Sequence, residues 1–363
     1  MRKFPQLSPN CFNIRAALGK VTASSILISA ALVSHAVPQA AAPQPISSAL
    51  AAVELPVAQP SNEDLTTLSL AGKPLTATEP FLVQRDENPN FTREFFRMNW
   101  RSSDPIDVYV IRPLHVARPP VTIFLYGFPT DTDRFRNDEF CKLVTSRGYA
   151  AVGFVSALTG ERFHGRGLDE WFVSDLPEAL VTSVHDVQMI LKYLETRKDL
   201  DTSRVGMFGQ GSGGSIAILT ASVEPRLKRI ELMDPWGDWP HWLADSKLIL
   251  DEERPRLNTK AFIESVAHLD PVDFLPKLNP ASVHLQDVLY DQDTPSPARL
   301  KIENAMPHGA AVATYATPAE FQAVAANGSR LLEWIQPEAD SAVPKSALEH
   351  APMTTNAAAS SIN

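Results

Sequence analysis

Two hydrophobic patterns alternate along residues 91–336. FTREFFRMNWRS (91–102) and PIDVYVIRP (105–113) place apolar side chains at every second position, the period of a half-buried strand. VTIFLYGF (121–128) and YAAVGFV (149–155) are continuous apolar runs, as expected of strands covered on both faces. RVGMF (204–208), RIELMD (229–234), ASVHLQDVLYD (281–291) and AAVATYA (310–316) extend the set. Between them, apolar residues recur at helical spacing in FRNDEFCKLVTSRG (135–148), ALVTSVHDVQMILKYLETR (179–197), GSIAILTASV (214–223) and FQAVAANGSRLLEWI (321–335). Strands alternating with helices predict an α/β fold: a mostly parallel twisted sheet with helices on both faces.

The ends of the chain read differently. Arg2, Lys3, Arg15 and Lys20 precede a short apolar stretch, VTASSILISAALV (21–33), and the small residues Ser34-His35-Ala36. This is the layout of a secretory signal peptide over 1–36, so the protein is expected to be exported, to the periplasm or the outside of the cell. An uncleaved N-terminal anchor is the alternative. The apolar run is too short for a comfortable membrane span, so no stable span is expected after cleavage. Residues 37–75 are rich in Ala and Pro and read as a spacer. Residues 337–363 are of low complexity and read as a disordered tail. The folded domain is expected over 76–336.

The formal net charge of −9 over 363 residues argues against nucleic acid as a partner. There are two cysteines, Cys11 and Cys141. Cleavage removes the first, which leaves no internal disulfide, and Cys141 falls on the apolar side of its helix. No P-loop, dinucleotide fingerprint or metal-ligand cluster appears, so neither a cofactor nor a metal is expected.

The candidate chemistry gathers at loops that follow strands. FGQGSGG (208–214) is a glycine-rich turn between a strand and a helix. With LYGFP (125–129) after an earlier strand, DQDTP (291–295) after a later one and the order of elements, it makes residues 90–336 resemble the α/β-hydrolase superfamily, in the manner of its dienelactone-hydrolase and prolyl-oligopeptidase-like members. The resemblance implies a nucleophile at the apex of the turn, flanked two residues away on each side by small residues. Gly209 and Gly213 fill the flanks, so the apex falls on Gly211, which has no side chain, and serine arrives one position late as Ser212. The family's oxyanion donors would be the backbone N–H groups of Phe128 and Ser212. Asp293 matches the slot for the acid, with Asp234 a second place for it. The family's histidine follows the last strand, where this chain offers Glu320. Downstream of Asp293, His308 precedes the last strand and His350 lies in the tail.

The resemblance also implies a helical cap over about 235–278. It opens with Trp236, Trp239 and Trp242, either gripping a ligand or packing the cap onto the core. Arg162 and Arg166, in the loop TGERFHGRGLDEW (159–171), are candidates to receive an anion. Two functional readings follow. In the first, the chain descends from ester or peptide hydrolases, has lost the Ser-His-Asp mechanism and retains a capped pocket for a small-molecule or peptide ligand. In the second, it is an active esterase or peptidase that uses Ser212. The oligomeric state is not legible.

Overall fold

The computed structural model describes residues 63–73, 75, 79–101, 104–127, 132–158, 162, 176–325 and 328–337. The segment expected to be a signal peptide, most of the expected spacer and most of the expected tail lie outside these residues. Nine strands form one sheet: β1 (Phe81–Glu87), β2 (Phe91–Met98), β3 (Ile106–Pro113), β4 (Pro120–Leu125), β5 (Ala150–Phe154), β6 (Asp201–Gln210), β7 (Leu227–Met233), β8 (Val283–Val288) and β9 (Ala311–Tyr315). Their order is β1-β2-β3-β5-β4-β6-β7-β8-β9. The pairs from β1 to β5 are antiparallel, and those from β5 through β4 to β9 are parallel.

The central strands β4 and β5 are buried at every position, as their unbroken apolar runs require. Strand β1 was not legible in the sequence. FLVQRDE carries no alternation because the strand hangs on the edge of the sheet with nearly every side chain exposed.

The helices are α1 (Asp138–Thr145), α2 (Leu176–Thr196), α3 (Ser212–Ala221), α4 (Trp239–Asp245), α5 (Lys260–Ala267), α6 (Ser296–Ala305) and α7 (Pro318–Ala325). Among the described residues, no helix is long and apolar enough to cross a membrane. Asn137 caps α1 by accepting from Phe140 N, and Cys141 on that helix is buried, which pushes its thiol up to about 11. The expected closing helix at 321–335 is not continuous. It stops at Ala325, resumes as one turn at Gly328–Leu331 and ends in turns that carry Trp334 and Ile335.

Part of the expected spacer packs on the domain. Leu70 is buried in the core, and its N–H donates to Gln188 Oε1 of α2 at 2.9 Å. Gln188 Nε2 donates to Leu68 O at 2.7 Å, and Lys192 Nζ donates to Leu75 O at 2.7 Å. His185, also on α2, places Nε2 2.8 Å from Thr67 O and Nδ1 2.6 Å from Glu63 Oε1. Burial works against the charge of Glu63, but hydrogen bonds from His185 and Arg101 outweigh it and hold the carboxyl at about 2.

Candidate functional site

Strand β6 delivers the chain to the turn before α3. Gly211 sits at the apex with φ 54° and ψ −119°, a conformation that glycine adopts without strain and other residues do not. Its N–H donates to Met233 O at 2.9 Å. Its carbonyl accepts from Gly214, Ser215 and Trp236 at 3.0, 3.2 and 3.2 Å. A Cβ on Gly209 would collide with the Gly213 backbone, and one on Gly213 would collide with the Leu125 carbonyl. Glycine is therefore required at both flanks, and strand and helix crowd together there.

Trp236 crowds the apex. A Cβ at Gly211 would lie 3.1 Å from Trp236 Nε1 and 3.4 Å from its Cε2. Trp236 is 2% exposed, and Trp239 and Trp242 are 0% exposed. Their rings pack on one another, Trp236 against Trp242 at 4.6 Å and Trp239 edge-on to Trp242 at 5.8 Å. Of the two readings given to the tryptophans, the described residues favour packing over grip, because rings this buried offer no surface. Asp270 fixes the turn that carries them, accepting from Asp238 N, Trp239 N and Val272 N at 2.9, 3.1 and 3.1 Å. Ser212 is 1% exposed, and Ser215 on the next turn donates to Trp236 O at 2.7 Å.

Carboxylates crowd the ends of the neighbouring strands. Asp234 follows β7 in the left-handed region, φ 44°, an uncommon place for a residue with a Cβ. Its Oδ1 accepts from Val288 N at 2.7 Å, and its Oδ2 has no partner among the described residues. Burial, and then the charge of Asp291, push its carboxyl well above the ordinary range. The same two causes carry Asp293 up to about 6. Asp287 on β8 is fully buried, and neither of its oxygens has a hydrogen-bond partner within ordinary distance among the described residues, although Glu303 lies beside it. Burial and the adjacent Glu303 push it up to about 8. The sequence drew attention to Asp234 and Asp293. Asp287 was hidden because it reads as an ordinary polar position in a strand. Among the described residues, no group of acids, histidines and cysteines is arranged to hold a metal ion.

Three candidates stand elsewhere than expected. Glu320 is exposed and caps α7, its Oε2 accepting from Ala316 N at 2.7 Å and Thr317 N at 3.3 Å while Thr317 Oγ1 accepts from Glu320 N. Thr317-Pro318-Ala319-Glu320 is thus a capping box. His308 is exposed in the turn that leads from α6 into the start of β9, at the N-terminal end of the parallel strands, whereas Gly211 follows the C-terminal end of β6. Arg162 is not open to a ligand. Its Nε donates to Asp104 at 3.0 Å and its Nη1 to Val155 O at 3.2 Å, and ion pairs to Asp186 and Asp104 complete its shell. Phe128 and Arg166 lie outside the described residues.

The partner of Arg162 is the residue that the sequence reading missed. Asp186 on α2 is 0% exposed and also receives Arg101 Nη1 at 2.5 Å and Trp100 Nε1 at 3.1 Å. Arg101 reaches on to Glu63, with Nε at 2.5 Å and Nη2 at 2.7 Å, and lies 3.8 Å above the Trp100 ring.

Grooves of about 290, 360 and 480 Å³ are among those that open on the described surface, and these are not lined by Gly211, Ser212 or the three tryptophans.

Comparison with known proteins agrees with this fold. No family model matches the chain. An acetyl xylan esterase from Paenibacillus sp. R4 superposes with a TM-score of 0.54 at 16% identity, covering 71% of this chain and 89% of that one. Acetyl xylan esterase 1 from Thermoanaerobacterium sp. JW/SL YS485 gives 0.51 at 15% identity, over 70% and 87%. A 2,6-dihydroxy-pseudo-oxynicotine hydrolase gives 0.50 at 17%, over 68% and 67%. The chain has the α/β-hydrolase fold. In sequence it is similar to a Bacillus subtilis (strain 168) protein named "Putative hydrolase YtaP", 23% identical over 171 residues, which is 43% of this chain. The match spans 56% of that relative's length.

Proposed function

We propose that this chain is an exported α/β-hydrolase-fold protein that shares ancestry with ester and peptide hydrolases, lacks their Ser-His-Asp mechanism and binds a small-molecule or peptide ligand. One observation carries the reading. The apex that bears the nucleophile in this fold is Gly211, which has no side chain, and a Cβ placed on it would lie 3.1 Å from Trp236 Nε1, a tight contact. A hydroxyl without a base is a weak nucleophile. Two of the candidates for the missing groups stand away from the apex: His308 precedes β9, at the other end of the parallel strands from Gly211, and Glu320 is a helix cap.

The test is labelling by a fluorophosphonate probe, with a screen of ester and peptide substrates. The wild type should stay unlabelled. Gly211→Ser, alone or with Trp236→Ala to open space, should hydrolyse p-nitrophenyl acetate no faster than wild type. Labelling that disappears in Ser212→Ala would establish the active-hydrolase reading instead.

Export rests on the basic, apolar and small-residue order of 1–36. N-terminal sequencing of protein recovered from the periplasm or the medium should begin at or near Val37. Recovery only from the cytoplasm with Met1 intact would refute it.

A further inference from the structure

The strands β7, β8 and β9 carry a polar stripe on one face. Residues two apart along a strand share a face, which puts Arg229 and Glu231 of β7 beside His284 and Gln286 of β8, with Tyr315 at the end of β9. The ladder sets Glu231 directly opposite His284 and Val288 opposite Tyr315. A fully buried carboxylate on a sheet face needs a specific shell. Glu231 has one: Oε1 accepts from His284 Nδ1 at 2.9 Å and from Gln286 Nε2, and Oε2 accepts from Ile335 N at 3.2 Å. Tyr315 donates its hydroxyl to Gln286 Oε1 at 2.9 Å.

This stripe floors a groove of about 480 Å³ walled by the C-terminal turn that carries Trp334. The wall is fixed. Gln336, fully buried, donates to Val144 O at 3.0 Å, and Arg229 Nη1 donates to Trp334 O at 2.9 Å. The Trp334 ring lies 5.3 Å from the His284 ring and 5.2 Å from the Arg229 guanidinium.

The positive groups of the groove are left unmatched. Arg229 and Arg330 both line it, and neither has an ion-pair partner among the described residues. By contrast, Arg93, Arg101, Arg162, Arg197 and Arg226 are each bound by at least one carboxylate. Glu231 holds Nδ1–H of His284, and Nε2 of that ring has no partner among the described residues. Glu333 stands at the exposed rim and pairs with neither arginine. Two guanidiniums without an ion pair among the described residues, a ring nitrogen fixed in orientation from behind, and a tyrosine oxygen with lone pairs to spare line one cleft.

We infer that this groove, away from the Gly211 turn, is a binding site for a small carboxylate-bearing molecule, held by Arg229 and Arg330 with His284 and Tyr315 beneath it. A guanidinium fork matches a carboxylate in two parallel hydrogen bonds, and the neighbouring Trp334 favours a ligand with an apolar or aromatic body. The inference does not depend on the absence of a nucleophile at Gly211.

The test titrates benzoate into the full-length protein while following the His284 ring proton by NMR, assigned from its loss in His284→Gln, and measures affinity by calorimetry. The expected result is a saturable shift of that resonance and binding about tenfold weaker in Arg330→Gln, the loss of one charge-assisted hydrogen bond. Arg330 is exposed, so this variant should melt with the wild type. Inorganic phosphate at the same ionic strength should leave the resonance in place. No saturable shift with benzoate, unchanged affinity in Arg330→Gln, or equal binding of phosphate would each overturn the assignment.

Discussion

Asp186→Ala is expected to cost about 3–5 kcal/mol of folding stability, because removing one partner of a buried ion network leaves the others charged and unsolvated. Asp186 is fully buried and accepts from Arg101, Arg162 and Trp100. With alanine there, Arg162 keeps, among the described residues, Asp104 and the Val155 carbonyl, in a site where its own exposure is 8%. Burial opposes the charge of both arginines, yet the carboxylates around them outweigh it and raise their affinity for the proton. Neither guanidinium can therefore escape by neutralising. Urea denaturation of wild type and variant would measure the loss. A change below about 1 kcal/mol, the range of an exposed pair, would mean that the network is wet and weak.

The second large effect has the opposite sign. Asp287→Asn is expected to stabilise the protein at pH 8 by about 1–3 kcal/mol, the cost of burying an ionised group without partners. The folded carboxyl titrates near 8 against an ordinary value of 3.8. Between those values the folded protein holds a proton that the unfolded chain has released. Stability is therefore complete below about pH 4, falls as pH rises through the window and levels off above about 8. Asp234, raised well above its ordinary value, pulls in the same direction. Glu303 is one of the causes that raise Asp287, so Glu303→Gln should remove part of the slope. Melting curves from pH 4 to 8 would decide. The variant and wild type should converge at the acid end and separate at the alkaline end. A gap that stays constant with pH would show that Asp287 does not carry the titration.

The sequence was most informative where sterics leave no choice. Gly209 and Gly213 could be assigned as flanks because the strand–helix crossing admits no Cβ, and the assignment fixed Gly211 as the apex. The continuous apolar runs at 121–125 and 150–154 announced strands buried on both faces. Long-range partnerships were out of reach. Arg162 looked like a loop arginine awaiting an anion because Asp186 lies 24 residues away on a helix, with nothing local to pair them. Glu320 was read against an expected site, although Thr-Pro-Ala-Glu spells its local role in full. The three tryptophans stood out as either gripping a ligand or packing the cap onto the core, but nothing local showed that Trp236, outside the helix, would settle against Gly211.

The clasp of Glu63 on Arg101 and His185 bears on how recombinant versions of this protein should be cut. A boundary drawn at the first long strand would discard a carboxylate that two basic side chains inside the domain rely on, and would uncover Leu70's place in the core. A shortened version that starts at or before residue 63 keeps that clamp. One that starts near residue 79 should express as a less soluble, more protease-sensitive protein, whatever its catalytic status.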